Sequence, residues 1–187
     1  MRKLFLVMTG FLAMNCWSQP TSVAGIIPGK TTFQELRSLV ESPLDLKDRE
    51  TNYVKLKELD NKTAWVRTKN NIVYEVDINL MFDPEVVVAL LSKYGKPVRK
   101  VGEIKKVECQ NKLGAKFDRV EGVRTEYWKA KDGIQAALVH KAYDCAEQSY
   151  VSYLIYHQKT KDEVDAEQQR EKLKQIGDKI DKVNKGI

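Results

Sequence analysis

The sequence predicts an α+β protein built from two helix-plus-antiparallel-meander units and ending in a charged amphipathic helix. A helix start followed by three strand patterns occupies residues 25–81, and a second helix followed by further strand patterns occupies 82–158. From residue 159 to 187 aromatic residues are absent and charged residues are frequent. The expected domains are therefore these two units and a helical tail.

Residues 1–18 have the composition of a signal peptide. Arg2 and Lys3 precede the apolar run "LFLVMTGFLAM", which is too short to span a bilayer. Cleavage is expected after Ser18, or alternatively after Ala24, which would remove residues 1–24. The shorter cleavage lowers the formal net charge from +6 to +4. We therefore expect a periplasmic or secreted protein.

The cysteines fit an exported protein. Cys109 and Cys145 remain after processing, and such a pair in an oxidising compartment predicts a disulfide. The alternative is a metal site that also uses His140 and His157, but the spacings match no C-x-x-C or H-x-x-x-H ligand pair. We expect no metal and no other cofactor. Cys16 would be the lipidated residue of a lipoprotein, but the preceding "AMN" matches a lipobox poorly, so lipidation is not expected.

The stretch "AGIIPGKTT" resembles a phosphate-binding loop but does not fit one. Only three residues separate Gly25 from Gly29, whereas that motif requires four. Pro28 also removes one backbone N–H that could contact a phosphate. Thr32 and Glu35 instead form the T-x-x-E pattern of a capping box, which predicts a helix start.

Both units have turn and strand signals in the expected order. In the first, the helical pattern ends at Pro43, and "NYVKLKEL", "TAWVRT" and "IVYEVDINL" predict three strands. In the second, Asp83 and Pro84 open a helix and Gly95 ends it. "PVRKV", "EIKKVEC", "AKFDRV", "GVRTEYWKA", "IQAALVHKAY" and "SYVSYLIYHQ" follow as strands or their approaches, with a hairpin at 132–133.

The tail carries apolar residues at alternating spacings of three and four, which is a heptad seam. Its weak start is Ala166 and Gln169. The candidate contact residues of the tail seam are Leu173, Ile176, Ile180, Val183 and Ile187. Three outcomes are open for this seam: packing on the body of the protein, pairing with a second chain, and docking on a partner.

Two segments resemble small envelope modules of the SmpA/OmlA (BamE) type and of the related β-lactamase-inhibitor-protein-like fold. They are "GIIPGKTTFQEL" and "FDPEVVVALLSKYGKP", and the resemblance extends from Gly25 to about His157. The matching positions are Gly29, Thr31, Glu35, Leu36, Leu90, Leu91, Tyr94, Gly95 and Pro97. The resemblance implies tandem units and a non-enzymatic role by contact with another envelope protein. The missing lipobox departs from the BamE pattern.

No catalytic constellation is recognised in the sequence. There is no G-x-S-x-G and no H-E-x-x-H, and the two histidines lie apart in strand patterns. We therefore expect an interaction protein and no enzyme. An inhibitor of a secreted enzyme and a binder of anionic lipid or a small ligand are the alternatives. Nucleic acid is not an expected partner.

Two surfaces are candidates for such an interaction. A basic patch near the end of the second helix could meet anionic headgroups, lipopolysaccharide phosphates or an acidic protein, although charge runs of this kind more often form a solvated face. Its residues are Lys93, Lys96, Arg99, Lys100, Lys105 and Lys106. An aromatic face in the last strands is the second candidate, with Trp128, Tyr150, Tyr153 and Tyr156 as its residues. Strand alternation places Tyr150 and Tyr156 on the side opposite Tyr153, so two outcomes are open: one set packs under a helix while the other forms an exposed binding face, or the tail helix covers that face.

Overall fold

The computed structural model describes residues 19–43, 46, 50–59, 62–81, 84–142, 145 and 150–185. It has three helices and seven strands, which confirms the α+β class. In chain order these are α1 (Phe33–Leu39), β1 (Thr51–Lys55), β2 (Thr63–Lys69), β3 (Ile72–Met81), α2 (Pro84–Tyr94), β4 (Arg99–Gln110), β5 (Lys116–Tyr127), β6 (Ile134–Ala142), β7 (Tyr150–His157) and α3 (Gln158–Lys185). The predicted signal peptide, Cys16, Asp83 and Ile187 lie outside the described residues.

The seven strands form a single antiparallel sheet in the order β1-β2-β3-β7-β6-β5-β4. Strands that follow each other in sequence are neighbours, except at the centre. There β3 pairs with β7, from Glu75 opposite Tyr156 to Met81 opposite Val151. The two predicted meanders are therefore parts of one sheet, and the joint between them is made by their last strands.

The strand segments predicted after α2 are fewer and longer in the structure. The last three residues of "PVRKV" and all of "EIKKVEC" lie in the single strand β4, and "AKFDRV" and "GVRTEYWKA" lie largely in β5. The β4–β5 ribbon continues beyond β6, because β6 pairs with β5 only from Gly122 to Tyr127. We call the part of the ribbon from 103 to 121 the arm.

Two hairpin turns use residues that tolerate positive φ. Asp132 and Gly133 have φ of 53° and 75°, which confirms the predicted hairpin between β5 and β6. Asn70 and Asn71 have φ of 51° and 65° between β2 and β3. Both pairs fit a two-residue turn of the primed type, whose twist matches that of the strands.

Helices α1 and α2 pack on one face of the sheet and form the core with it. The buried and partly buried members of this core include Leu36, Val40, Val54, Val66, Val76, Ile78, Leu90, Tyr94, Trp128, Leu138, Tyr153 and Ile155. These residues alternate along the strands with side chains of the opposite face. We call that opposite face the open face.

The Gly-Lys-Thr segment is a turn that leads into α1. Gly29 has φ of 82° and donates its N–H to Val73 O at 2.7 Å, and a Cβ at this position would lie 2.8 Å from the His157 ring. Thr32 accepts from Glu35 N and the Glu35 carboxylate accepts from Thr32 N, so the predicted capping box is confirmed. The segment is thus explained by chain geometry.

Helix α3 follows β7 directly and crosses one end of the open face. Lys161 Nζ lies 3.0 Å from Glu75 Oε2, and Lys69 Nζ lies 2.9 Å from Glu167 Oε1. After Glu167 every residue whose exposure the structure describes is exposed. None of the described helices combines the length and the apolar character needed to cross a membrane.

Candidate functional site

The open face is covered by α3 only at one end. One row of this face crosses five strands in register and contains Tyr53, Trp65, Asp77, Leu154 and Ala137. Because α1 and α2 lie on the other side, neither shields this row. Within this row Tyr53 and Trp65 are exposed, Asp77 and Leu154 are partly exposed, and Ala137 is buried, so the accessible part of the open face lies mainly on β1 and β2.

Tyr53 and Trp65 form an exposed aromatic pair on this face. Their side chains are 50% and 46% exposed, and their ring centroids lie 4.7 Å apart at an interplanar angle of 47°. The Tyr53 hydroxyl donates to Thr63 Oγ1 at 2.7 Å, which fixes the orientation of the ring. An ordered aromatic surface loses little conformational entropy when it becomes buried against another protein.

A groove of about 340 Å³ begins at Trp65 and crosses the sheet. Its lining residues are Thr51, Trp65, Arg67, Asp77, Asn79, Lys141, Tyr150 and Ser152. Asp77 Oδ1 and Ser152 Oγ are buried there and have no hydrogen-bond partner within the described part of the protein. Buried polar atoms are normally satisfied, so these two can accept a donor from water or from a bound group.

The end of the open face beneath α3 is an anchor for that helix. Glu75 is 2% exposed and forms ion pairs with Arg67 and with Lys161. Burial raises the pKa of Tyr74 and of Tyr156, which lie beside these groups, although the nearby cations oppose this rise. A buried carboxylate requires such cations, and here they also join α3 to β2 and β3.

The four aromatic residues predicted as an interaction face do not share a surface. Trp128 and Tyr153 are buried in the core, where the Trp128 Nε1–H donates to Gly95 O at 2.9 Å. Tyr156 is buried next to Lys161 of α3, and Tyr150 alone of the four lines the groove. The prediction of this face is therefore wrong, since strand alternation and the tail helix separate its members.

The predicted basic patch is divided between two sides of the molecule. Arg99 lies over the Tyr127 ring at 4.3 Å on the open face, whereas Lys100 is directed to the other face and lies 3.3 Å from Glu126 Oε1. The same alternation separates Lys105 from Lys106. Lys93 and Lys96 lie at the end of α2. The six cations do not form one continuous surface.

The carboxylate that Lys100 contacts belongs to a small ionic cluster. Arg124 Nε lies 3.1 Å from Glu126 Oε1, and His140 Nε2 lies 4.0 Å from Glu126 Oε2. Burial lowers the pKa of His140, and Glu126 opposes that shift. Glu126 is the only acidic residue in this cluster with Lys100, Arg124 and His140. Within the described residues, no group of three or more histidine, cysteine and acidic side chains could hold a metal ion.

The tail seam is exposed in the structure. Leu173, Ile176, Ile180 and Val183 are 62%, 54%, 55% and 65% exposed. The outcome in which these residues pack on the body of the protein is therefore excluded for them. Pairing with a second chain and docking on a partner both remain compatible with this geometry.

Sequence reasoning missed the exposed pair of Tyr53 and Trp65, although a signal for it was present. Val54 and Leu56 predict the buried side of β1, so Tyr53 must lie on the opposite side. In the same way Val66 predicts an outward Trp65. Large aromatic residues on the side of a strand where polar residues are expected indicate a surface that contacts another molecule.

Comparisons with known proteins gave no match to a protein family, to a curated protein or to a solved structure.

Proposed function

We propose that the protein is an exported, non-enzymatic interaction module that binds another protein of the cell envelope over its open face. The observation that carries this proposal is the exposed pair of Tyr53 and Trp65 beside a groove with two unsatisfied polar atoms. Aromatic anchors surrounded by polar groups are the usual centre of a protein–protein interface. The side chains of Arg67 and Lys141 add cationic groups at the groove wall.

We also propose that the chain consists of two helix-plus-meander units, 25–81 and 82–158, of the SmpA/OmlA (BamE) or β-lactamase-inhibitor-protein-like type. The order of α1 with β1–β3 and of α2 with β4–β7 supports this proposal. So does the position of β3 and β7, the last strand of each unit, at the centre of the sheet. The resemblance of the two helix segments implies a contact function, and such a function needs no catalytic residues.

An inhibitor of a secreted enzyme is the second candidate. The groove favours it, because an open sheet with Asp77 Oδ1 and Ser152 Oγ unsatisfied could accept donors from a loop of an enzyme. Binding of anionic lipid is less favoured, since the cations predicted as its site lie on different sides of the molecule.

The test is capture of partners from mildly cross-linked cell envelopes of the source organism, with the processed protein as bait. The variant Tyr53→Ala/Trp65→Ala removes the exposed pair, and Val88→Ser on the exposed side of α2 is the matched control. We expect a discrete partner with the wild type and the control, and at least about tenfold less of it with the aromatic variant.

Equal capture by all three proteins would show that the open face is not the contact surface. Absence of any partner in near-stoichiometric yield would contradict the interaction function itself. If the captured partner is a hydrolase, its activity with stoichiometric protein distinguishes inhibition from assembly.

A further inference from the structure

We propose that the projecting half of α3 binds the same helix of a second copy of this chain, as a parallel coiled coil. This inference is independent of the function proposed above, because it concerns a surface at the other end of the chain. It rests on the exposure of the tail seam, on the character of the sheet-facing side of α3, and on the charges beside the seam.

The side of α3 that faces the sheet becomes exposed beyond the anchor. Lys161 and Val164 are partly buried against the sheet. Continued at helical spacing, this side carries only polar residues further along the helix: Gln168, Glu171, Gln175, Asp178 and Lys182. A polar side of this kind has little apolar area to bury, so packing of this part of the tail on its own domain would gain little hydrophobic stabilisation.

The apolar residues lie on a different side of the same helix. Six seam positions follow one another at spacings of three and four: Ala166, Gln169, Leu173, Ile176, Ile180 and Val183. At 100° per residue this stripe is rotated by more than a quarter turn from the stripe of Lys161 and Val164. A second helix can therefore lie along the seam while the sheet stays on the outer side.

A partner for the seam is needed to hold this part of α3 helical. From 168 onward every residue whose exposure the structure describes is exposed, and this segment contains Gly177, which disfavours a helix. Isolated helices of about this length are marginal in water. Burial of four half-exposed aliphatic side chains per chain supplies the missing stabilisation.

The flanking charges favour a second copy in the parallel direction. With Leu173 and Ile180 at position a of the heptad, Asp165 takes position g and Arg170 takes position e. In a parallel pair Asp165 lies beside Arg170 of the second copy, and this attraction occurs twice. The remaining cations at position g, Lys172 and Lys179, lie opposite the uncharged residues Gly177 and Asn184.

The antiparallel direction lacks this complementarity. In the register that pairs Leu173 with Ile176 of the second copy, Lys172 lies close to Lys179 of that copy, and like charges oppose each other. The polar seam residue Gln169 also favours the parallel arrangement, where it meets its own counterpart and both side chains can form hydrogen bonds. The surface is thus complementary to itself.

The test is the mass of the processed protein in solution by sedimentation equilibrium, from about 1 to about 100 µM. The variant Ile176→Ser/Ile180→Ser removes apolar side chains of the seam. The variant Gln175→Ser/Asp178→Ser changes the same turns on the polar side and is the matched control. We expect a concentration-dependent mass of two or more chains for the wild type and the control, and at least tenfold weaker association for the seam variant.

A wild-type mass of one chain over the whole range would overturn the proposal, as would equal association of both variants. Near-ultraviolet circular dichroism verifies that the body of each variant is folded. Direction is tested with Val183→Cys under oxidising conditions: rapid formation of a symmetric cross-link is expected for a parallel pair, and its absence from an associated sample would contradict that direction. The variant Tyr53→Ala/Trp65→Ala should associate like the wild type, which separates this inference from the proposed function.

Discussion

Tyr153 places a phenol in the centre of the core, between α2 and the sheet. Its ring contacts Trp128 edge-on with centroids 6.0 Å apart, and its hydroxyl has no hydrogen-bond partner among the described residues. Burial raises the pKa of this hydroxyl far above its usual range, and Tyr94 contributes in the same direction. The neutral phenol is therefore strongly preferred in the folded state.

We predict that Tyr153→Phe makes the protein less sensitive to alkali. The folded-state pKa of Tyr153 lies above the unfolded value of about 10, so above pH 10 the unfolded state loses the phenol proton while the folded state keeps it. The contribution of this group to the free energy of unfolding is therefore complete below pH 10 and falls above it, by up to about 1.4 kcal/mol per pH unit. The variant lacks this loss. At pH 7 its free energy of unfolding should equal the wild-type value or exceed it by about 1 kcal/mol, because an unpaired buried hydroxyl is removed. Urea unfolding at a series of pH values measures both effects, and identical pH dependence of the two proteins would contradict the prediction.

At this scale the sequence indicates on which side of a strand a residue lies, but it does not indicate what covers that side. Alternation separates Tyr153 from Tyr150 and Tyr156, as the structure confirms. Whether Tyr156 is open or covered depends on α3, which folds over it from outside the sheet. That contact depends on the ion pairs of Glu75, and no local pattern encodes them.

Helix α3 is held to the sheet at its first turns by charged groups. Lys161 contributes most directly, because its ammonium lies between Glu75 Oε2 at 3.0 Å and Asp165 Oδ1 at 3.1 Å. Glu75 is buried, so loss of this cation leaves one of its oxygens without a compensating charge. The attachment of the whole helix thus depends on a few polar contacts.

We predict that Lys161→Met weakens the attachment of α3 and lowers the free energy of unfolding by about 1–3 kcal/mol, because the variant keeps the aliphatic stem and removes only the charge. Lys159→Met, on the exposed side of the same turn, is the control and should stay within about 0.5 kcal/mol of the wild type. Hydrogen exchange of the amides from 158 to 167 gives the local readout. Equal protection in both variants would show that Lys161 does not anchor the helix.

Most elements could be predicted from the sequence, because their turns carry strong local signals. The capping box at Thr32, the end of α2 at Gly95 and the hairpin at Asp132 all depend on residues whose backbone preference is specific. The division of β4 and β5 into shorter strands was less successful. Gly102 and Gly122 interrupt the apolar pattern there, yet both strands continue through them in register.

For the whole molecule, the disulfide connects the arm to the segment that joins β6 to β7. The structure places Cys109 and Cys145 at bonding distance, with Cα atoms 5.4 Å apart and a sequence separation of 36 residues. Cys109 is buried, whereas the residues around it in the arm are largely exposed. The covalent link therefore takes the place of a core in this part of the protein.

We predict that Cys109→Ala/Cys145→Ala destabilises the protein by about 2–4 kcal/mol, in proportion to the chain entropy that a loop of this size restores to the unfolded state. Hydrogen exchange should become faster in the arm while β2, β3 and β7 keep their protection. Thermal unfolding with and without a reductant measures the effect on the wild type, and the variant should be insensitive to the reductant. Unchanged stability of the wild type after complete reduction would contradict this prediction.

The order of the strands in the sheet could not be predicted from the sequence. Two meanders with similar patterns could pack against each other, remain separate or share one sheet, and the patterns of β3 and β7 permit each arrangement. The choice depends on which edges meet, and this is a long-range contact without a local signal. The open face, and with it the candidate site, follows from that choice.

The pairing of β3 with β7 affects the order in which the sheet can form while the chain is being synthesised. During synthesis the first three strands are complete while α2 and β4–β6 are still to be made, so β3 carries an unpaired edge with Val73, Val76, Ile78 and Leu80 beside it. Its partner emerges almost last. A newly made chain must keep this edge from pairing with another nascent chain until residue 157 has appeared, and delayed release of the C-terminal part would favour aggregation over folding.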